Sequence, residues 1–384
     1  MARIIRALAN EGDVPTGFPI VFDDQDHIVE PVFEYLISLA VISGRARAPE
    51  TIRTYAEHLY DWFDTLEQSG LDWRLVDIDA IAGYRNRMLE RPSPHTGRPY
   101  SRSTINDRVQ TICRFYRWAV DSGWIEALPF HYEAVRAPAA AHKTFFGHLY
   151  SEKSTVSANL LKVPEYERLP RPLRPDQIDA VFRCLPEPYR LIGDWALATG
   201  MRRCELCALT LGQVPDSARA IPSENPLTGV SLTITKGSKP RTVYVPVRLI
   251  DQTHWMIGED RAVLVRARKR RDPKYRPTER LFLNTRGDPV TKARLTAVFA
   301  RAFDEAGIEG SLHWLRHTFA MALLVRLQAC VQHTPELNPL KIVQVLLGHS
   351  SIETTSLYLR CIELHEEAVA ESVAYLYGGA HGDA

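Results

Sequence analysis

HWLRHTFA at residues 313–320 and LGHSSIETTSLY at residues 347–358 carry His313, Arg316, His317, His349 and, nine residues after His349, Tyr358. Outward from them, TGMRRCEL at residues 199–206 contributes Arg202 and Glu205, and TKGSKPR at residues 235–241 contributes Lys236. These are the residue types that cutting a phosphodiester without a metal requires. Attack at phosphorus builds negative charge on the nonbridging oxygens, which preorganised guanidinium groups stabilise, and Arg202 and Arg316 suit that clamp. A tyrosine phenol, with a free pKa of about 10, is a weak nucleophile until a neighbour accepts its proton. Tyr358 fits the nucleophile and His313 the helper. The leaving nucleotide alkoxide needs a proton, for which Lys236 is the candidate general acid.

In order, spacing and local context these segments resemble the tyrosine recombinases of the phage integrase type. The TGxRxxEL helix of that family falls on residues 199–206, which carries its first arginine onto Arg202 and its supporting acidic residue onto Glu205. The family's hairpin lysine, in a GKGxKxR-like segment, falls on Lys236, with Thr235 where a glycine is usual. The HxLRHTFA and LGHSSIxTTxxY boxes fall on residues 313–320 and 347–358. The resemblance implies strand exchange through a 3′-phosphotyrosyl link at Tyr358, with His349 on a nonbridging oxygen and His313 sharing the phenol proton. It implies double-stranded DNA as substrate, a tetrameric synapse of identical chains, and room for accessory DNA-bending proteins. It calls for no metal, ATP or other cofactor. A type IB topoisomerase and a non-catalytic DNA-binding protein of the same fold are the alternatives.

Each piece alone has an ordinary reading. Arg202 and Glu205, three apart, suit a solvated helix face or a structural ion pair. Lys236 lies between the alternating runs SLTIT and RTVYVPV, where Gly237 and Pro240 mark a hairpin turn, and hairpin lysines usually solvate the loop. His313 and His317 sit at i and i+4, but the segment lacks the glutamate of HExxH, so His317 reads as a structural support and no metal is expected. Tyr358 reads equally as a core aromatic, like Tyr375 and Tyr377. Joint occurrence in order selects the catalytic reading.

The chain has 384 residues, 45% of them hydrophobic, and a formal net charge of +1. That length predicts two cores. No run approaches the ~20 apolar residues of a membrane span, and MARIIRALANEGDV lacks a secretory apolar stretch; the expectation is a cytoplasmic protein working on DNA, with no membrane partner. The six cysteines are scattered, with one CxxC at 204–207, and predict reduced thiols. Residues 261–280 hold nine Lys or Arg against two acidic residues, which suits phosphate contacts by Arg268, Lys269, Arg270 and Arg271.

The predicted fold class is mainly α with a small antiparallel β-sheet: a helical N-terminal domain, core-binding and SAM-like by resemblance, and an α+β catalytic domain. Residues 1–44 read as a leader with an extra helix in VFEYLISLAVIS, and residues 45–137 as a helical bundle. There Ile52, Tyr55, Leu59, Trp62, Phe63 and Leu66 share one helix face, and Ser101 or Ser103 caps a second helix that stops at Gly123. Arg53, Arg98, Arg102 and Ser103 are its candidate phosphate ligands. Residues 138–172 read as a linker, 173–362 as the catalytic domain opened by Pro175 and Asp176, and 363–384 as an amphipathic C-terminal helix that the resemblance places on a neighbouring protomer. Residues 325–339 look like an insertion.

Overall fold

In a computed structural model the chain forms two compact units, Met1–Glu167 and Arg168–Ala384. The structure describes residues 3–8, 14–42, 47–94, 96–136, 155–159, 161–165, 169–216, 227–233, 240–331, 334 and 336–363. The C-terminal helix expected beyond residue 363 and the hairpin tip with Lys236 lie outside the described residues.

The first unit contains strands β1 (Arg3–Arg6) and β2 (Pro19–Phe22), helices α1 (Glu30–Ile37), α2 (Pro49–Ser69), α3 (Ile78–Glu90) and α4 (Arg102–Asp121), and strands β3 (Tyr132–Arg136) and β4 (Thr155–Asn159). Helix α2 opens with Pro49 in its first turn and stops at Gly70, whose φ of 62° ends the helix. Its predicted face is buried: Ile52, Leu59, Trp62, Phe63 and Leu66 meet Ile105, Ile112, Phe115 and Tyr116 of α4 in one core. Aromatic rings dominate that core, with Trp62 edge-on to Tyr84 at 5.3 Å and Phe63 edge-on to Phe115 at 5.6 Å. Ser101 is the cap of α4, its Oγ accepting from the Thr104 amide at 3.1 Å.

The residues before Arg45 contribute more than a helix. β1 and β2 pair antiparallel, Arg3 opposite Phe22, and Phe18, Val21, Val32, Tyr35 and Leu36 are buried in the same core as α2–α4. Residues 155–159 and 161–165 of the expected linker are also ordered on this unit. β4 pairs antiparallel with β3, and Leu161 and Val163 join the core. The Asn106 side chain accepts from the Val163 amide at 2.8 Å and donates to the Val163 carbonyl at 2.9 Å, while Arg102 donates to the Pro164 carbonyl at 2.9 Å.

The second unit contains α5 (Pro175–Arg183), α6 (Tyr189–Thr199), α7 (Arg203–Ala208), β5 (Leu227–Leu232), β6 (Arg241–Pro246), α8 (Val247–Met256), α9 (Ala262–Arg271), α10 (Lys292–Glu305), α11 (Leu312–Val331), α12 (Pro339–Leu347) and α13 (Glu353–Glu363). β5 and β6 form the expected antiparallel hairpin; Val230, Leu232, Val243 and Val245 point into the core and Ser231 and Tyr244 away from it, the period-2 pattern of a half-buried sheet. Trp195 at the centre is fully buried and donates to Thr253 Oγ1 at 3.0 Å. Residues 325–331 of the expected insertion continue α11. Among the described residues the sheets are three two-stranded hairpins in a mostly helical chain, and no helix is long and apolar enough to cross a membrane.

Because Ser101 and not Ser103 satisfies the first-turn amide of α4, Ser101→Ala is expected to lower stability by about 1 kcal/mol and Ser103→Ala by less than about half of that. Chemical denaturation of both variants measures the difference, and equal effects would remove Ser101 as the cap.

Candidate active site

Helix α6 ends at Gly200, with φ of 63°, so the chain turns sharply and Arg202 lands at the N-cap of α7 in extended conformation. Glu205 therefore faces inward. It is 1% exposed, which rules out the solvated helix face. Its carboxylate accepts from the Arg202 amide at 2.7 Å and from Arg202 Nη1 at 3.2 Å. The fork of Arg241, the first residue of β6, grips the same carboxylate with Nη1 at 2.5 Å and Nη2 at 2.8 Å. Burial opposes ionisation of Glu205, yet the hydrogen bonds from Arg241 and the Arg202 amide hold its pKa below the ordinary carboxylate value.

The remaining donors of these arginines turn to the end of α12. Arg241 Nε donates to the Leu346 carbonyl at 3.0 Å, Arg316 Nη2 to Leu347 at 2.9 Å and Arg202 Nη2 to Gly348 at 2.9 Å. Three consecutive carbonyls, unpaired within their own helix, thus each receive a different guanidinium. Arg316 also donates to the Gly200 carbonyl at 2.5 Å. It is 2% exposed, and burial, followed by the charges of Arg202 and Arg241, pushes its pKa down to about 9, so it stays charged at neutral pH.

Gly348, with φ of 64°, ends α12 and delivers His349 beside this cluster. His349 Nδ1 shares a hydrogen bond with Thr355 Oγ1 at 2.9 Å, and its ring lies parallel to that of Tyr358, centroids 6.3 Å apart. Tyr358 is 3% exposed and packs among Ala320, Met321, Leu324, Val343 and Leu347. Its hydroxyl shares a 3.0 Å hydrogen bond with His317 Nδ1. The histidine holding the phenol here is therefore His317, which the sequence suggested only as a support; His313, the expected helper, is exposed one turn earlier, its ring edge-on to His317 at 4.5 Å.

The structure thus brings together Arg202, Glu205, His313, Arg316, His317, His349 and Tyr358, while Lys236 lies outside the described residues. Sequence reasoning missed Arg241. Its signal was the last position of TKGSKPR, an arginine opening an alternating strand.

The phage integrase family model matches residues 171–364 and the phage integrase N-terminal SAM-like domain model residues 34–123. The chain belongs to the phage integrase family. It is a tyrosine-type site-specific recombinase, similar to tyrosine recombinase XerC of Halalkalibacterium halodurans at 27% identity over 81% of this chain and 86% of that protein. The fold of this recombinase matches XerH site-specific recombinase bound to palindromic difH substrate in a post-cleavage complex, with a TM-score of 0.52 and 16% identity over 93% of this chain and 90% of that one. A lambda integrase tetramer bound to a Holliday junction gives 0.51 at 15% identity over 84% and 77%.

The expected DNA contacts divide by environment. Lys269, Arg270 and Arg271 are exposed at the end of α9, whereas Arg268 stacks 5.7 Å over Tyr275 and lies 3.9 Å from Asp288. In the first unit Arg98 and Ser103 are exposed, Ser103 Oγ sharing a 2.9 Å hydrogen bond with Ser101. Arg53 pairs with Glu57 at 3.2 Å, and Arg102 is engaged by the Pro164 carbonyl.

Burial, aided by neighbouring cationic groups, pushes His317 and His349 of the recombinase down to about 4 from 6.5, so both are neutral at pH 7. A lowered histidine pKa means the unfolded chain binds protons first, so the stabilisation is complete above about pH 6.5 and is lost as pH falls toward 4. Asp194, raised to about 6 by burial and then by Glu187, works in the opposite direction, one group against two. The thermal midpoint of the unit is expected to fall between pH 7 and pH 5; a midpoint that rises over that interval would contradict the assignment.

Proposed function

We propose that Tyr358 attacks the scissile phosphate of a specific DNA site. The Tyr358 oxygen to phosphorus bond forms, the bond to the 5′ oxygen breaks, and the 3′-phosphotyrosyl link conserves the bond for rejoining to a partner duplex. In the second step the freed 5′-hydroxyl of the partner attacks that link and returns the proton-bearing phenol. Arg202 and Arg316 bind the nonbridging oxygens: each guanidinium has five N–H donors, and their bonds to Glu205, Gly200 and the end of α12 use only two apiece. His349 adds a further donor. His317 orients the phenol and His313 shares its proton, while Lys236 protonates the leaving 5′ oxygen.

The observation that carries this reading is the convergence of three elements on one spot. The helix with Arg316 and His317, the α12 end gripped by Arg202, and the Tyr358 ring stacked on His349 are joined by hydrogen bonds and ring contact. In this reading residues 45–137 grip DNA, residues 173–362 cut it, and residues 138–172 join them, with Arg98 and the Lys269, Arg270, Arg271 cluster meeting backbone phosphates. Exchange of two duplexes asks for four copies of the chain, in keeping with the tetramer of lambda integrase on a Holliday junction. Accessory DNA-bending proteins that set direction fit the same scheme.

Denaturing gels of the chain incubated with nicked duplexes from the DNA flanking its own gene, in EDTA, are expected to show a covalent adduct that Tyr358→Phe abolishes. An adduct that survives that substitution would move the nucleophile elsewhere. Lys236→Ala is expected to slow cleavage of the ordinary phosphodiester and to regain rate when sulfur replaces the bridging 5′ oxygen, because a thiol of pKa about 8.5 leaves without a proton donor. Equal defects on oxygen and sulfur substrates would remove Lys236 as the general acid.

A further inference from the structure

Arg241 directs its hydrogen bonds at the protein itself. Its side chain is 7% exposed, against 0% for that of Glu205. Two nitrogens hold the carboxylate and Nε holds the Leu346 carbonyl. A Cβ on Gly348 would sit 3.0 Å from Arg241 Cδ and 3.1 Å from Nη1, so the backbone at the His349 turn is packed directly on this guanidinium. The planar fork suits a carboxylate in a way that a lysine ammonium does not.

The charges add to a definite requirement. Arg202 and Arg241 hold one carboxylate, and Arg316, bonded to the Gly200 and Leu347 carbonyls, lies close enough to feel its charge, which leaves a net charge of +2 among these four side chains. Tyrosinate attacking a phosphodiester gives a transition state of charge −2. Without Arg241 the four become three with net +1, and Glu205, whose remaining cationic partner is Arg202, draws that guanidinium off the phosphate. We propose that Arg241 is a positioning residue that takes up the charge of Glu205, leaving Arg202 and Arg316 to meet the scissile phosphate with their charges uncompensated. Arg241 also ties the strand that follows Lys236 to the helix end that precedes His349. The inference rests on the proposed roles of Arg202, Arg316 and Tyr358.

The test is a charge-restoring pair of substitutions. Single-turnover adduct formation is measured at saturating nicked duplex for wild type, Arg241→Ala, Arg241→Lys, Glu205→Gln and Arg241→Ala with Glu205→Gln, and binding of the same duplex is measured in the Tyr358→Phe background. Arg241→Ala is expected to lower the cleavage rate by about 10²-fold, the loss typical of one preorganised donor, with duplex affinity nearly unchanged. Removing the carboxylate as well is expected to return roughly tenfold of that rate, and the comparison is made at a temperature where denaturation profiles show every variant folded, so that relief of a stranded buried charge does not by itself account for the gain. Arg241→Lys, with the charge but not the fork, falls between wild type and Arg241→Ala. Cleavage by Arg241→Ala at the wild-type rate, or a double variant no faster than Arg241→Ala, overturns the proposal. If Arg241→Ala does not fold, Arg241→Gln with and without Glu205→Gln gives the same two decisive comparisons. A wild-type chain that forms no adduct would overturn the reaction itself, an outcome distinct from wild-type cleavage that is indifferent to Arg241.

Discussion

A carboxylate shut away from water must be paired, and Glu205 is such a carboxylate. Breaking a buried ion pair by deleting one partner costs about 3–5 kcal/mol, because the other charge is stranded. That penalty fixes where Arg202 and Arg241 can be. Once both guanidiniums are fixed, their further donors meet the carbonyls of residues 346 and 348, and Arg316 takes the one between. The negative end of the α12 dipole favours cations at this position. Four segments far apart in sequence, the start of α7, the start of β6, the N-terminal part of α11 and the end of α12, are thereby held in one cluster.

Two glycines make that cluster geometrically possible. Gly200 and Gly348 both adopt positive φ, at 63° and 64°, where a Cβ is penalised. The space is closed as well: a Cβ on Gly200 would lie 2.5 Å from Phe319 Cδ1 and 2.8 Å from Leu347 Cδ2. Each glycine ends a helix abruptly and presents its carbonyl to an arginine, Gly200 to Arg316 and Gly348 to Arg202. The turns that terminate α6 and α12 are thus also the places where the arginines are anchored.

Much of this was legible in sequence wherever local periodicity or a dense motif carried it. The apolar spacing of residues 52–66 gives α2 and its buried face, and alternation around residues 230–245 gives the β5–β6 hairpin. β1 and β2, as RIIR and PIVF, are four residues each, too short for alternation to stand out. The strap at residues 161–165 is too short for its alternation to stand out; Leu161 and Val163 enter the core, and the side-chain amide of Asn106 stands in for a backbone partner. Arg241 was missed because its carboxylate lies 36 positions earlier, and no spacing rule encodes an ion pair across that distance. The choice between His313 and His317 turned on which ring faces α13. Both lie on one turn of α11, so only packing separates them.

The two halves of the site are held by different forces. The arginines are fixed by charge-assisted hydrogen bonds in a buried setting, where such bonds are stronger than neutral ones. Tyr358 is held in the apolar cluster formed by the middle of α11 and by α12, and its hydroxyl shares a hydrogen bond with a neutral histidine. A hydrogen bond of that kind contributes about 0.5–1.5 kcal/mol net, far below the cost of stranding Glu205. Losing the hydrogen bond to His317 therefore costs much less than losing either guanidinium partner of Glu205. The arginine half of the site is thus fixed chiefly by charge pairing, and the half bearing Tyr358 chiefly by apolar packing.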